Sequence, residues 1–308
     1  MAGLKLNKYA IIDIGTNSVK MYVFSVNDGK LETISDQGKV TGLGAGIFDT
    51  GNLAEQSMVR TICVIKEYMK FSAAAGVFDV TAVGTMALRT AANRDVFIER
   101  LRRETGLKMR VISGEEEARY SFLAASSLAG LEKKKVLVFD IGGGSTEFIY
   151  GKDKELIKRQ SLNIGAVNMT EQFLASDPVT KLELQKLENY LKKLLEVKIL
   201  NKDIDMIVGL GGSITTMCAV KMKMVTYCPG QIHNYTLCIE EIERQIELYR
   251  ERAIMKRAAI RGLQAGREEV ILAGSSIVSA ILRHFSRDNV LISEWGLRHG
   301  IAHEKYGL

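Results

Sequence analysis

A chain of 308 residues is longer than one hydrophobic core usually serves, so two domains are expected, and its 46% hydrophobic and 25% charged content excludes a disordered or low-complexity protein. No unbroken apolar run approaches the length of a membrane span, which argues against membrane partners, and no zinc-finger, RNP or basic-zipper pattern points to duplex nucleic acid. The formal charge of +6 suits a polyanionic ligand and equally suits plain solubility.

The first predicted strand begins near Tyr9, which leaves no room for a signal peptide. Cys63, Cys218, Cys228 and Cys238 form neither a C-x-x-C pair nor a metal-ligand spacing, so reduced thiols in a cytoplasm are expected and zinc is not. That first strand opens a motif that occurs twice. Residues 11–24 read I-I-D-I-G-T-N-S-V-K-M-Y-V-F and residues 138–150 read V-F-D-I-G-G-G-S-T-E-F-I-Y, so Asp13 matches Asp140 and Ser18 matches Ser145. Each copy is an apolar run, an Asp, a Gly-rich turn with a Ser, and a second apolar run, which predicts a hairpin. Such a turn can cradle a phosphate on successive backbone N–H groups, and the Asp at the strand end can hold a divalent cation beside it. Two copies facing across a cleft would build one phosphate and metal site from both halves of the chain.

A third strand is expected over 30–37, followed by T-G-L-G-A-G-I at 41–47, a glycine cluster that either contacts phosphate or forms a flexible connection over the cleft mouth. Asn52 and Glu55 resemble an N-cap with its capping-box partner, opening a helix to about residue 75. The β-branched run 77–84 predicts a strand that leads into T-M-A-L-R-T-A-A-N-R. Arg89 and Arg94 there either face solvent or clamp phosphate at the mouth of an α/β site. A helix over 95–105, capped by Gly106, and a strand over 108–112 lead to S-G-E-E-E-A-R-Y-S-F at 113–122. Three glutamates at a helix start suit the positive end of its dipole; lying before the second turn, one of them can also serve as a general base for water.

In the second half, Lys133 to Lys135 read as a solvated turn, 154–161 as a strand, and L-N-I-G-A-V at 162–167 as a turn into a helix. Asp177-Pro178 and Thr180 with Glu183 mark a helix start, and Leu184, Leu187, Leu191 and Leu194 give it a core-facing stripe. The strand 206–210 closes with G-G-S-I-T-T at 211–216, a third glycine and hydroxyl turn. His233 reads as a lone surface histidine. The stretch 249–267 is basic, and positions 250, 257 and 261 share a face if it is helical, which could hold a long anionic tail or simply be solvated. A helix to about 285, a strand 289–292 and S-E-W-G-L-R-H-G-I complete the pattern.

Taken together, D-I-G-T-N-S at 13–18, T-M-A-L-R-T-A-A-N at 85–93, I-S-G-E-E-E-A at 112–118, D-I-G-G-G-S-T-E at 140–147, N-I-G-A-V at 163–167, G-L-G-G-S-I-T-T at 209–216 and G-L-R-x-G-I at 296–301 carry a resemblance. Over essentially its whole length the chain resembles the exopolyphosphatase and guanosine pentaphosphate phosphohydrolase family, a branch of the actin, sugar kinase and Hsp70 superfamily. The resemblance implies an α/β fold of two ribonuclease H-like lobes with a cleft between them, residues 1–124 plus 294–308 and residues 125–293. It implies Glu117 as the general base and Asp13, Asp140 and Glu147 as acidic residues around the phosphate and Mg2+. Asn17, Ser18, Gly143, Gly144, Ser145 and Thr146 match phosphate-loop positions, Gly211, Gly212 and Ser213 fall on the third turn, and Arg89 matches an arginine near the terminal phosphate. Thr16 stands where Ser is common, Glu115 adds a third carboxylate, and Glu116 and Glu117 need a structure to be told apart.

The implied activity is release of orthophosphate from a polyphosphate end. The alternatives are a guanosine pentaphosphate 5'-phosphohydrolase or a non-catalytic sensor of guanosine penta/tetraphosphate or polyphosphate; a small-molecule kinase stands behind these. A homodimer is a candidate assembly. Larger members carry further C-terminal helical domains, so a chain of two lobes is expected to grip long polymers less processively.

Overall fold

The computed structural model describes residues 7–27, 30–128, 130–153, 155–199 and 203–306. Chain contacts divide it into two units, Met1–Ala124 with Leu297–Leu308, and Ala125–Gly296.

The first unit begins with β1 (Lys8–Ile14), β2 (Ser18–Asn27) and β3 (Lys30–Val40). It continues with α1 (Ile47–Thr50), α2 (Glu55–Ala74), β4 (Val77–Gly84), α3 (Met86–Thr90), α4 (Arg94–Thr105), β5 (Met109–Val111) and α5 (Gly114–Ser126). Its sheet has the order β3-β2-β1-β4-β5, with β2 antiparallel to both neighbours and β1, β4 and β5 parallel. The central strand is apolar on both faces because both are covered: Ile12 and Ile14 pack with Ile62, Ile65 and Phe97 of α2 and α4, while Ile11 packs on the opposite side with Tyr22 and Tyr120. Edge strand β3 carries polar residues over most of its length, as an unpaired edge requires. Helix α2 starts one residue after Ala54, and the capping box expected from Asn52 and Glu55 does not form. Instead the Asn52 amide donates to the Thr50 carbonyl at 3.0 Å, and Asn93 Oδ1 accepts from the Leu53 N–H at 2.8 Å.

The second unit contains β6 (Lys135–Ile141), β7 (Thr146–Lys152), β8 (Glu155–Leu162), α6 (Ala166–Phe173), α7 (Lys181–Lys198), β9 (Met206–Leu210) and α8 (Gly212–Lys221). Then come α9 (Pro229–Ile232), β10 (Thr236–Cys238), α10 (Ile239–Arg250), α11 (Ile254–Arg257), α12 (Ile271–His284) and β11 (Asn289–Ile292). Lys154, where the sequence placed the start of β8, lies outside the described residues. The sheet order is β10-β11-β9-β6-β7-β8, so β8-β7-β6-β9-β11 repeats the first unit's arrangement, and β10 adds an antiparallel edge. The expected α/β fold of two lobes on mixed sheets is borne out. Helix α12 is buried almost all round, which matches its run I-L-A-G-S-S-I-V-S-A-I-L. Helix α7 has the predicted Thr180–Glu183 capping box, and Leu184, Leu187, Leu191 and Leu195 line its buried face, with Leu194 only partly covered.

The basic stretch departs from the sequence reading. Helix α10 ends at Arg250, so positions 250, 257 and 261 share no helix. Arg257 is 1% exposed; its guanidinium donates to the carbonyls of Tyr249 at 2.8 Å and Glu268 at 2.9 Å, which makes it a clamp on the loop rather than a seat for an anionic tail. The chain's last helix, α13 (Leu297–Tyr306), belongs to the first unit, where Leu297, Ile301 and Ala302 join the Ile11 and Tyr22 side of the sheet. Residues 307 and 308, the end of the first predicted domain, lie outside the described residues. Among the described residues no helix is long and apolar enough to cross a membrane.

Candidate active site

The first turn closes between β1 and β2 with Gly15 N donating to the Ser18 carbonyl at 3.0 Å. The 41–44 segment then takes up the next carbonyls: Thr41 and Gly42 N–H groups donate to Asn17 O, both at 2.9 Å, and Gly44 N donates to Thr16 O at 2.8 Å. Gly44 permits this approach, because a Cβ there would lie 2.4 Å from Thr16 Cγ2. The glycine cluster is thus a brace on the turn and not a flexible connection. With the carbonyls committed inside the protein, the ligand such a turn suits is an anion. Asn17 is exposed and Ser18 half-buried.

The second turn repeats the construction. Gly142 N donates to Ser145 O at 2.9 Å, Ala166 N to Gly142 O at 3.0 Å and Val167 N to Gly143 O at 2.8 Å. Asn168 completes the brace: its Nδ2 donates to Gly144 O at 2.9 Å and its Oδ1 accepts from Gly165 N at 2.7 Å. A Cβ on Gly165 would fall 2.2 Å from Gly143 O. Gly143 and Gly144 are exposed, whereas the two hydroxyls of the motif are already used. Ser145 Oγ donates to Glu147 Oε1 at 2.9 Å, and fully buried Thr146 donates to the Ile164 carbonyl, so the Thr146 side chain ties the turn to its brace. Glu147 also accepts from Ser161 at 3.0 Å and sits opposite Asp140 in the β6–β7 register.

The third turn lies against the end of β6. Gly211 has φ +93°, and a Cβ there would come within 2.7 Å of Asp140 Oδ1. Next to it the Arg267 guanidinium covers Gly212, where a Cβ would lie 1.7 Å from Nη2. Burial lowers the Arg267 pKa, opposed by the charges of Tyr227 and Glu294. Ser213 is 1% exposed and packs against Gly274, so its hydroxyl points into the unit's interior.

The adjacent glutamates of α5 have separate tasks. Glu116 forms a capping box with Ser113: the Ser113 N–H donates to Oε2 at 2.8 Å, and Ser113 Oγ accepts from the Glu116 N–H at 3.0 Å. It also pairs with Arg110. The Ser113 N–H, aided by Arg110, holds its carboxyl below the ordinary range. Glu117 is turned elsewhere. Arg89 Nη1 donates to its Oε2 at 2.7 Å and to the Ile112 carbonyl at 3.0 Å. Glu115 is exposed, and Arg94 pairs loosely with Asp95 at 3.6 Å on the helix surface.

Asp13 completes the first unit's cluster. Burial raises its pKa; Lys20 and Arg298 oppose the shift, and the charge of Glu117 adds to it. Asp13 Oδ1 is buried and has no hydrogen-bond partner among the described residues. An orphaned carboxylate oxygen is costly unless a ligand supplies the missing partner. Mg2+ fits such a place, because it takes one or two carboxylates and completes its shell with water and phosphate oxygens. Among the described residues no group of three or more His, Cys, Asp or Glu side chains could hold a metal ion by itself. Lys20, Arg267 and Arg298 are not assigned to the site by the sequence reading, although Lys20 lies inside the duplicated motif and Arg298 inside G-L-R-x-G-I at 296–301. His233 stacks on Trp295 with ring centroids 4.3 Å apart, and burial pushes its pKa down to about 4.

Residues 22–307 match the Ppx/GppA phosphatase family. Exopolyphosphatase 2 of Mycobacterium tuberculosis is 30% identical, over 97% of this chain and 98% of that protein. A bifunctional 3-dehydroquinate synthase/phosphatase of Fusobacterium nucleatum is 32% identical over 92% of this chain, which spans only 44% of that protein's length. The crystal structure of the Aquifex aeolicus Ppx/GppA family member superposes with a TM-score of 0.86 at 38% identity, covering 97% of each chain. Fold and relatives together define the class, an enzyme that hydrolyses phosphoanhydrides. The chain belongs to the Ppx/GppA phosphatase family.

Proposed function

We propose that the chain is an exopolyphosphatase that cleaves the terminal phosphoanhydride of inorganic polyphosphate and releases orthophosphate. The observation that carries the choice of base is the split between neighbours: Ser113 and Arg110 occupy Glu116, while Arg89 holds Glu117 at 2.7 Å, within electrostatic reach of Asp13. In this reading Glu117 orients a water molecule and accepts its proton as the water attacks phosphorus in line with the departing chain. Arg89 fixes the Glu117 carboxylate and offers guanidinium charge to the terminal phosphoryl oxygens. Backbone N–H groups of the turn at 16–18 in the first unit, and of the turns at 143–145 and 211–213 in the second, are the groups offered for anion contacts. Asp13 in the first unit and Asp140 and Glu147 in the second are the carboxylates available to Mg2+, which would take one or two of them and would neutralise phosphoryl charge.

The near-complete match to an exopolyphosphatase over both chains supports polyphosphate as the substrate. Four free cysteines support a reducing, cytoplasmic setting. The test is a comparison of kcat/KM for polyphosphates of varied length and for guanosine pentaphosphate at one Mg2+ concentration. Polyphosphate is expected to lead by about tenfold or more, equivalent to ~1.4 kcal/mol of differential transition-state binding. A lead for guanosine pentaphosphate would replace the substrate assignment.

A further inference from the structure

Sheet register places three charged residues on one face of the first sheet. Asp13 on β1 lies opposite Lys20 on β2, and Lys20 lies opposite Gly38 on β3; one row further along, Tyr22 lies opposite Asp36. Side chains alternate along a strand, so Asp13, Lys20 and Asp36 project from the same side. Helix α13 covers that side through Leu297, Ile301 and Ala302, which brings Arg298 in its first turn to the charged rows.

Among the described residues, two buried atoms of opposite character on this face lack hydrogen-bond partners, Asp13 Oδ1 and Arg298 Nε. They do not pair with each other. The Arg298 guanidinium is committed to Asp36, with Nη2 2.8 Å from Oδ1, and His299 Nε2 lies 3.4 Å from the other Asp36 oxygen. The Arg298 side chain is only 11% exposed, so it cannot satisfy itself in solvent. Its charge nevertheless reaches Asp13, together with those of Lys20 and Glu117.

We propose that Asp36 is a positioning residue that holds Arg298 back from Asp13 and so keeps the Asp13 carboxylate open to a divalent cation. The proposal rests on the reading of Asp13 as a cation ligand. A guanidinium and a divalent cation compete for the same carboxylate oxygen, and a buried arginine deprived of one acidic partner is driven toward the next. Loss of Asp36 therefore turns Arg298 from a restrained neighbour into a competitor. Loss of Arg298 removes the competitor, whether or not Asp36 is present.

The signs of these effects separate a withheld arginine from a merely structural ion pair. Binding of Mn2+ to the full chain is followed by the spectroscopic signal of the free ion, in the wild type and in Asp36→Asn, Arg298→Gln, Asp36→Asn/Arg298→Gln and Asp13→Asn variants. Asp36→Asn is expected to weaken Mn2+ binding about tenfold, in the range typical of outer-shell changes, and the double variant to recover to within about threefold of wild type. Arg298→Gln alone is expected to bind Mn2+ at least as tightly as wild type. Unchanged binding in Asp36→Asn, or a double variant as weak as the single, overturns the proposal. Where Asp36→Asn does not fold, Arg298→Gln decides: equal or tighter binding supports the proposal and weaker binding overturns it. Unchanged binding in Asp13→Asn would instead remove Asp13 as a cation ligand, and the proposal would fall with that assignment.

Discussion

The turns at Asp13 and Asp140 share a construction. In the first unit the 41–44 segment holds the carbonyls of Thr16 and Asn17; in the second, residues 166–168 hold those of Gly142, Gly143 and Gly144. Each brace comes close through a glycine, Gly44 or Gly165, but the contacts differ. Gly44 meets the methyl of Thr16, whereas Gly165 meets the Gly143 backbone. The carboxylates differ as well. Asp13 is pushed up by burial and has an oxygen without a partner, while Asp140 stands opposite a glutamate that accepts two hydroxyls. Duplication has therefore repeated the braced turn with different surroundings for its carboxylate, and within the first unit Arg89 holds Glu117, whose charge acts on Asp13.

The two glycines give the largest test of that contrast. A Cβ at Gly165 would overlap a carbonyl that cannot move without opening the turn, so Gly165→Ala is expected to abolish activity and to cost about 3 kcal/mol or more. Thr16 can rotate away from an added methyl, so Gly44→Ala is expected to cost about 1 kcal/mol and to retain measurable turnover. Thermal denaturation and kcat for both variants check this, and equal losses would erase the distinction.

Asp13 gives a test of opposite sign. Its folded pKa is raised, chiefly by burial, so the neutral acid favours the fold and the ionised form penalises it as pH rises through the folded value. Asp13→Asn should therefore melt at a higher temperature than wild type at pH 7 while losing activity, and the advantage should vanish below about pH 4, where the carboxyl is protonated in both states. A variant that is less stable at pH 7 would contradict the assigned cost of burial.

Glu116 gives the smallest effect. Glu116→Gln weakens a capping box and an ion pair, for about 1 kcal/mol of stability, and should leave kcat within about threefold of wild type.

The hairpins, the Thr180–Glu183 capping box and the core stripe of α7 were legible because each signal lies within a few residues. Ser113 and Glu116 also have capping-box spacing, yet three consecutive glutamates obscured which one was used. The opposite error occurred at Asn52, where Asn93, 40 residues away in sequence, supplies the acceptor for Leu53. Arg257 looked like a surface cation because nothing local announces the three backbone carbonyls that enclose it at Tyr249, Arg252 and Glu268. The sequence shows Arg298 in the G-L-R-x-G-I motif and Arg267 in the basic stretch, but not their contacts with Asp36 and Gly212, which tertiary packing assembles from distant parts of the chain. Sequence pattern located the turns, and packing decided which charges lie beside them.

Single-turnover hydrolysis of polyphosphate by Glu117→Gln tests most directly whether Glu117 activates water. The glutamine keeps the size of the side chain and can still accept from Arg89, but it cannot take a proton. A loss of about 10²- to 10⁴-fold in the chemical step is expected, with polyphosphate still bound and with Glu116→Gln active beside it. Wild-type turnover in Glu117→Gln would contradict it.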